Sequence, residues 1–282
     1  MNYRRANDRD NFTKLVLTFY HAHGRHTLPW RVFPKSVSVS VRAYRVLVSE
    51  VMLQQTQVER VIPYYERFIK TYPNPQRLAR APLKDVLILW QGLGYNRRAR
   101  MLHEAGKSVV EKCKGVMPVT YTELVTLPGV GDYTASAVMA FAYNKEAVLI
   151  ETNIRTAITH HFFPKKEAVP DSSIREVLEL LMPSWDYCNW YSALMDYGAH
   201  LKASGIRINA KSTHYSKQKP FKGSMRELRG GILKELLVRS RTRESLVMLF
   251  GKERKDASII ALDALCSEGL VIKKRNVYAL PS

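Results

Sequence analysis

Residues 127–138 read "LPGVGDYTASAV". Gly129 and Gly131 flank Val130 in a turn too tight for most side chains, and the small and apolar run that follows reads as a helix. A helix, a G-x-G turn and a second helix opening at "YTASAV" leave backbone N–H groups free at a helix N-terminus, where the macrodipole is positive. Such a turn binds a phosphate. Contacts made by the main chain read backbone and not base, so the expected ligand is a nucleic-acid strand held regardless of its sequence. A bare G-x-G also closes ordinary helix ends; the longer L-P-G-V-G-x-x-T-A is far more specific.

The charge agrees with that ligand. The chain of 282 residues carries 44 basic and 25 acidic side chains, a formal +19, and a surplus this large usually belongs to a protein that meets a polyanion. At 46% hydrophobic it can bury a genuine core without staples. Cys113, Cys188 and Cys266 are far apart, with no C-x-x-C, which supports neither a disulfide framework nor a metal or iron–sulfur site. The start, "MNYRRANDRDNF", is too polar for a signal peptide, and no apolar stretch reaches the ~18 residues of a membrane span. The expectation is a soluble, cytoplasmic protein with no membrane partner, nucleoid-associated if the source is prokaryotic.

Apolar residues Phe12, Leu15, Val16 and Phe19 follow the period of an amphipathic helix that Gly24 ends. "HTLPWRVFPKSVSVSVR" is a loop by its prolines, though its Ser/Val alternation could form a short strand. "AYRVLVSEVMLQQTQVERVIPYYERFIKTY" is helical, with Pro63 marking a break near its middle. More helices follow at "PQRLARA", "LKDVLILWQGL", "RRARMLHEAGKSVVEKC", "SSIREVLELLMPS" and "NWYSALMDYGAHLKA". There is no βαβ alternation, so the class is all-α. Residues 204–224 have the glycines, polar residues and lysines of a basic linker. Beyond them, 225–282 give three helices and then the basic, alternating "VIKKRNVYALP", the order of a winged-helix module; a small helical cap would leave a similar trace.

"LPWR", "SEVMLQQTQVERVIPYYERF", "LWQGLGYNRRARMLHEA", "LPGVGDYTASAV" and "ALMDYG" together resemble the helix-hairpin-helix DNA glycosylases, most closely the MutY-type adenine glycosylases that remove adenine opposite guanine or 8-oxoguanine. The resemblance covers about residues 12–202. It implies a two-lobed fold: residues 1–40 pack with the second lobe, 41–155 form a six-helix lobe carrying the hairpin, 156–203 complete the second lobe, and 225–282 add the small α+β module.

The resemblance also implies roles. Glu50 stands where that family keeps the general acid that protonates adenine; a proton on N7 turns a poor leaving group into a good one, and the surrounding "VSEVML" could raise the acid's pKa by burial. Glu151, twenty residues past Gly131, stands where the family normally has an aspartate that steadies the sugar cation. Its extra methylene advances the charge by about 1.5 Å, so the expected outcomes are a kept electrostatic role, lowered activity or a shifted substrate. Tyr133 replaces the Schiff-base lysine of endonuclease III-type relatives, so no strand cleavage by β-elimination is expected. Trp30, Arg31 and Asn153 are candidates for the base pocket. Gln55 resembles the side chain that fills the gap left by the extruded base, and Leu93 and Tyr95 those touching the opposite base and minor groove. Leu127, Gly129, Val130, Gly131 and Thr134 form the strand-holding hairpin. Asp196 reads as a structural helix residue.

Two family features are expected to be missing. Most relatives place four cysteines for a [4Fe–4S] cluster after "ALMDYG", and "AHLKASGIRINAKSTHYSKQK" holds none; Lys202, Arg207, Lys211, Lys217 and Lys219 could supply its electrostatics instead. About 60 C-terminal residues are too few for the Nudix-like domain that verifies 8-oxoguanine. No cofactor or metal is expected. The sequence therefore reads as a monomeric, monofunctional glycosylase acting on duplex DNA with a mismatch or lesion. Two alternatives stay open: thymine or uracil opposite guanine as the substrate, and a catalytically weak or silent duplex-binding protein.

Overall fold

The computed structural model describes residues 3–206, 208 and 220–281, so Arg207, Lys211, Lys217 and Lys219 of the basic stretch lie outside the described residues. Among its described residues the chain is mostly helical, with one small sheet. Its helices are α1 Ala6–His23, α2 Val39–Leu53, α3 Val58–Thr71, α4 Pro75–Arg80, α5 Leu83–Trp90, α6 Arg97–Cys113, α7 Tyr121–Leu124, α8 Asp132–Phe141, α9 Thr152–Phe162, α10 Asp171–Leu180 and α11 Tyr187–Ala203. Then come α12 Met225–Val238, β1 Arg241–Thr242, α13 Arg243–Leu249, α14 Lys255–Ser267, β2 Ile272–Lys274 and β3 Val277–Ala279.

The residues divide into two compact units. One comprises Met1–Leu47, Pro118–Thr126 and Val130–Lys217; the other comprises Val48–Met117, Leu127–Gly129 and Gln218–Ser282. The first unit is built on α1, α9 and α11, whose apolar stripes meet in a core containing Phe12, Phe162 and Trp190. Phe12 stands edge-on to both rings, with centroids 5.0 and 6.5 Å away. In the second unit, Val61, Tyr65 and Phe68 repeat at helical spacing along the buried face of α3. Phe68 meets Trp90 of α5, and Leu78 of α4 packs against the glycine face of α6 at Gly106.

The C-terminal residues of the second unit form the expected winged-helix-like module. Helices α12, α13 and α14 enclose Leu228, Ile232, Leu246, Leu262 and Leu265, and the antiparallel sheet has the order β1-β3-β2. Tyr278 of β3 pairs with Arg241 on one side and Lys273 on the other. Arg275 takes a left-handed backbone (φ 55°) in the turn between β2 and β3.

Two expectations are corrected. The Ser/Val alternation forms no strand: Val39 begins α2, because its apolar residues continue at helical and not alternating spacing into Ala43, Val46 and Leu47. Pro63 does not break a helix either. It lies inside α3, and the break falls earlier, at Gln54–Gln57, where the last carbonyls of α2 find an arginine instead of further helix.

Candidate active site

Within the second unit, Glu50 is 7% exposed near the end of α2, among Val48, Ser49, Val51 and Met52, all buried. Just beyond it the helix is terminated by Arg98 of α6. Its Nη1 donates to the carbonyls of Val51, Met52 and Gln54 at 2.7, 2.9 and 2.7 Å, and its Nη2 to Thr56 Oγ1 at 3.2 Å and the Gly94 carbonyl at 3.1 Å. The guanidinium also lies over the rings of Trp90 and Tyr95. Burial lowers its pKa to about 10, which leaves it cationic at neutral pH.

Arg98 thereby holds two loops at once. Each carries a non-glycine residue in the left-handed region, Gln55 (φ 57°) in one and Tyr95 (φ 50°) in the other. Such backbones persist where the surroundings over-determine them, and they concentrate at functional sites. Gln55, Leu93, Tyr95 and Gly129 line one cleft of about 960 Å³. Gly129 must be glycine twice over: its φ is 75°, and a Cβ there would stand 2.5 Å from Met101 Cβ.

Within the first unit, Glu151 caps α9. Oε1 accepts from the backbone N–H of Asn153 and Ile154 at 2.8 and 2.9 Å, and Oε2 from Asn153 Nδ2 at 3.3 Å. The extra methylene is thus absorbed by folding the carboxylate back onto its own helix. Lys202 Nζ donates to Asn153 Oδ1 at 3.0 Å, which completes a relay from ammonium through amide to carboxylate. The Glu151 side chain keeps some contact with solvent, yet desolvation raises its pKa and outweighs the two backbone hydrogen bonds and the charges of Lys202 and Arg155. Gly198 of α11 sets this segment's position, because a Cβ there would stand 2.0 Å from the Asn153 carbonyl oxygen.

Asp196, two residues earlier on α11 and 4% exposed, organises the loop that carries Trp30. Arg25 donates from its backbone N–H (2.7 Å) and its Nε (2.8 Å), and Arg31 donates through Nη1 (2.7 Å) and Nη2 (3.0 Å). Burial pushes the Asp196 pKa up, but hydrogen bonds and charge from Arg31, then Arg25, hold it below its ordinary value. Arg31 is therefore committed to a buried carboxylate. Trp30 is itself buried.

Leu127, Val130 and Thr134 are 4%, 6% and 3% exposed, so these side chains pack, which agrees with a turn that offers its main chain. Gly131 precedes α8 with no side-chain cap. Tyr133 packs against the first unit's core. Arg98, Gly198 and the Lys202–Asn153 contact are additions that sequence reasoning missed. A glycine inside the helical pattern was a signal for Gly198. Backbone acceptors leave none for Arg98.

The family's iron–sulfur cluster does not fit these residues: it needs four thiolates, and the chain's three cysteines, on α6, α11 and α14, are dispersed and free. No helix among the described residues is long and apolar enough to cross a membrane.

An all-α frame around the α7–α8 glycine turn defines a helix-hairpin-helix protein. Residues 48–183 match the model of the HhH-GPD superfamily base excision DNA repair protein. An adenine DNA glycosylase of Buchnera aphidicola subsp. Baizongia pistaciae (strain Bp) is 36% identical over 189 residues, 67% of this chain and 52% of that relative. Another, from Mycolicibacterium smegmatis (strain ATCC 700084 / mc(2)155), is 36% identical over 190 residues, 67% of this chain and 63% of the relative. The chain thus spans about half to two thirds of the length of these relatives. Among solved structures, a thermostable thymine-DNA glycosylase superposes with a TM-score of 0.58 at 25% identity, covering 68% of this chain and 87% of the other. A trapped endonuclease III–DNA covalent intermediate superposes with a TM-score of 0.54 at 19% identity, covering 78% and 91%, a likeness of fold alone.

Proposed function

We propose that this protein is a monofunctional DNA glycosylase that removes adenine paired with guanine or 8-oxoguanine from duplex DNA. The observation that carries the reading is Glu50, a carboxyl side chain at 7% exposure among apolar neighbours, beside the loop of Gln55. A proton donor of this kind is useful for a purine, whose N7 can take the proton, and has no counterpart on thymine or uracil. The adenine glycosylases to which the chain is similar support the same base.

In the proposed reaction the strand is held by main-chain N–H groups of the hairpin, and the target nucleotide leaves the stack while Gln55 fills the gap. Glu50 gives its proton to N7, and the C1′–N9 bond breaks with its electron pair passing to the base. The Glu151 carboxylate, held in place by its cap and by Asn153, stabilises the sugar cation. Water adds at C1′ and its released proton restores the acid, leaving free adenine and an abasic site. Tyr133 offers no amine for an imine, so the strand stays intact. The protein works as a monomer in the cytoplasm without cofactor, and three cysteines in place of four support the last point.

Single-turnover assays on duplexes carrying A:8-oxoG, A:G, T:G and U:G, followed by alkali cleavage at abasic sites, test this. Cleavage confined to the adenine strands of the first two is expected. Product from T:G or U:G alone would move the chain to the thymine-type reading, and tight binding without product from any duplex would make it a silent binder.

A further inference from the structure

The C-terminal module, within the second unit, sorts its charges. Arg229, Arg241, Arg243 and Arg254 are paired with Glu268, Glu235, Asp263 and Glu227 at 2.5, 2.6, 3.0 and 3.1 Å. The β2–β3 hairpin differs. Lys273, Lys274 and Arg275 follow one another into its turn, all exposed, and no ion pair among the described residues involves any of them. Successive side chains of a strand point to opposite faces, so Lys273 and Lys274 flank the ribbon and Arg275 stands at its tip. Tyr278, 2% exposed, roots the ribbon in the module: Lys273 Nζ lies 5.8 Å from its ring centre, and its hydroxyl accepts from Arg243 Nε at 3.2 Å. Arg275 holds φ at 55°, a backbone that glycine or asparagine adopts more readily, and the neighbouring Asn276 does not take it. Turn chemistry alone would put the asparagine or a glycine at this position. What arginine adds there is an exposed cation.

Helix α14 shows the reverse. In a helix-turn-helix pair the second helix enters the major groove and offers its exposed N-terminal residues to the bases. The exposed stripe of α14 is Asp256, Ile260, Asp263 and Ser267, at helical three- and four-residue spacing, with Ala261, Leu262 and Leu265 buried behind it. Two carboxylates and an isoleucine at 61% exposure, with no lysine or arginine in the stripe, would have to lie between two rows of phosphates. Asp263 also occupies Arg243, which withdraws that cation from any strand.

We propose that the β2–β3 hairpin is a second duplex-binding site, in which Lys273, Lys274 and Arg275 hold phosphates whatever the sequence, while α14 stays out of the groove. A ribbon with cations on both faces and at its tip reaches phosphates on either side of a groove, and each one neutralised releases condensed counterions. Asp256 and Asp263 repel the same backbone, which keeps the helix from competing for it. The ligand, duplex DNA, is taken from the glycosylase reading, but the test needs no excision.

The test is equilibrium binding of the full chain to an undamaged duplex at several salt concentrations, with a melting curve for every variant. Replacing Lys273, Lys274 and Arg275 together by glutamine should leave the melting midpoint near the parent's, weaken binding, and lower the slope of log affinity against log salt by about 2–3, at about 0.9 for each phosphate contact. Arg275→Gly relieves the turn; it should melt no lower than the parent and still lose about one unit of slope. Ile260→Gln should bind as the parent does. A triple variant with the parental slope and affinity, or an Arg275→Gly protein that binds like the parent, would overturn the proposal and leave the hairpin cations to solubility. So would an Ile260→Gln protein weakened about fivefold or more, the least that a base contact is worth, because that puts α14 in the groove. Excision by a parent whose hairpin variants bind unchanged would sink this proposal alone. A parent that excises no base yet loses slope with its hairpin cations would sink the glycosylase reading and leave this one standing.

Discussion

Arg98 and Asp196 do the same job with opposite charges. In the second unit a buried cation collects backbone carbonyls from the end of α2 and the Gly94 loop. In the first, a buried anion collects two arginines from the loop before α2. The difference lies in the partners. Asp196 is neutralised by full charges, and one of them, Arg25, keeps about a third of its side chain in solvent. Arg98 is solvated by dipoles and aromatic faces, and its hydrogen bonds go to carbonyls and a hydroxyl. Losing Asp196 frees two cations that can turn toward water. Losing Arg98 strands several carbonyls that have no such freedom, because the backbone carrying them also holds Gln55 and Tyr95 in left-handed conformations.

That contrast orders the expected effects. Arg98→Met should destabilise the fold by about 3–5 kcal/mol, read as a fall in the urea midpoint. Duplex affinity should fall further than global stability explains, as the two loops lose their shared anchor. Asp196→Asn should cost about 2–4 kcal/mol at neutral pH. Since the folded-state pKa of Asp196 is depressed, its contribution is full above the unfolded value and disappears as pH falls through the lower folded value, so parent and variant should converge in acid. If Asp196→Asn proves the more damaging of the two, the contrast between charge-paired and dipole-solvated anchors fails.

Gly198→Ala should cost about 1–3 kcal/mol, because the added carbon meets backbone and not a flexible side chain. Its larger signature should be slowed excision, the Asn153 segment and Glu151 being displaced together; a variant equal to the parent in both respects would show that α9 can retreat freely. The smallest expected change in stability belongs to Glu151→Gln. Glutamine keeps an oxygen for the cap and removes a desolvated charge, so the variant should match or slightly exceed the parent at pH 7. A raised folded-state pKa means that the parent's stability falls as pH climbs above the unfolded glutamate value. The variant's advantage should therefore grow with pH across that window and vanish below it, in paired denaturation curves. Its excision rate should nonetheless drop, the signature of a residue kept for chemistry at the expense of stability.

The all-α class, the hairpin and the terminal module were legible because each leaves a local mark: apolar spacing, a paired-glycine turn, a basic alternating tail. Glu50 was legible too, since an acid flanked by Val48, Val51 and Met52 on a helix has to be buried. What the sequence hid are contacts whose partners are backbone or distant in the chain. Arg98 answers carbonyls, and any residue type offers a carbonyl. Arg226 meets Tyr95 across 131 positions. Pro63 misled because a proline usually marks a break, whereas here the break was imposed by Arg98 from α6. The pairing of Arg31 with Asp196 joins residues 165 positions apart.

The claim beneath all of this is that Glu50 supplies the proton on which base release depends. Single-turnover excision from an A:8-oxoG duplex by Glu50→Gln, alongside the parent and with both proteins' melting curves in hand, tests it most directly. A loss of roughly 10²–10⁴-fold in rate with the fold and duplex affinity intact is the predicted result; free adenine released at the parental rate would contradict it.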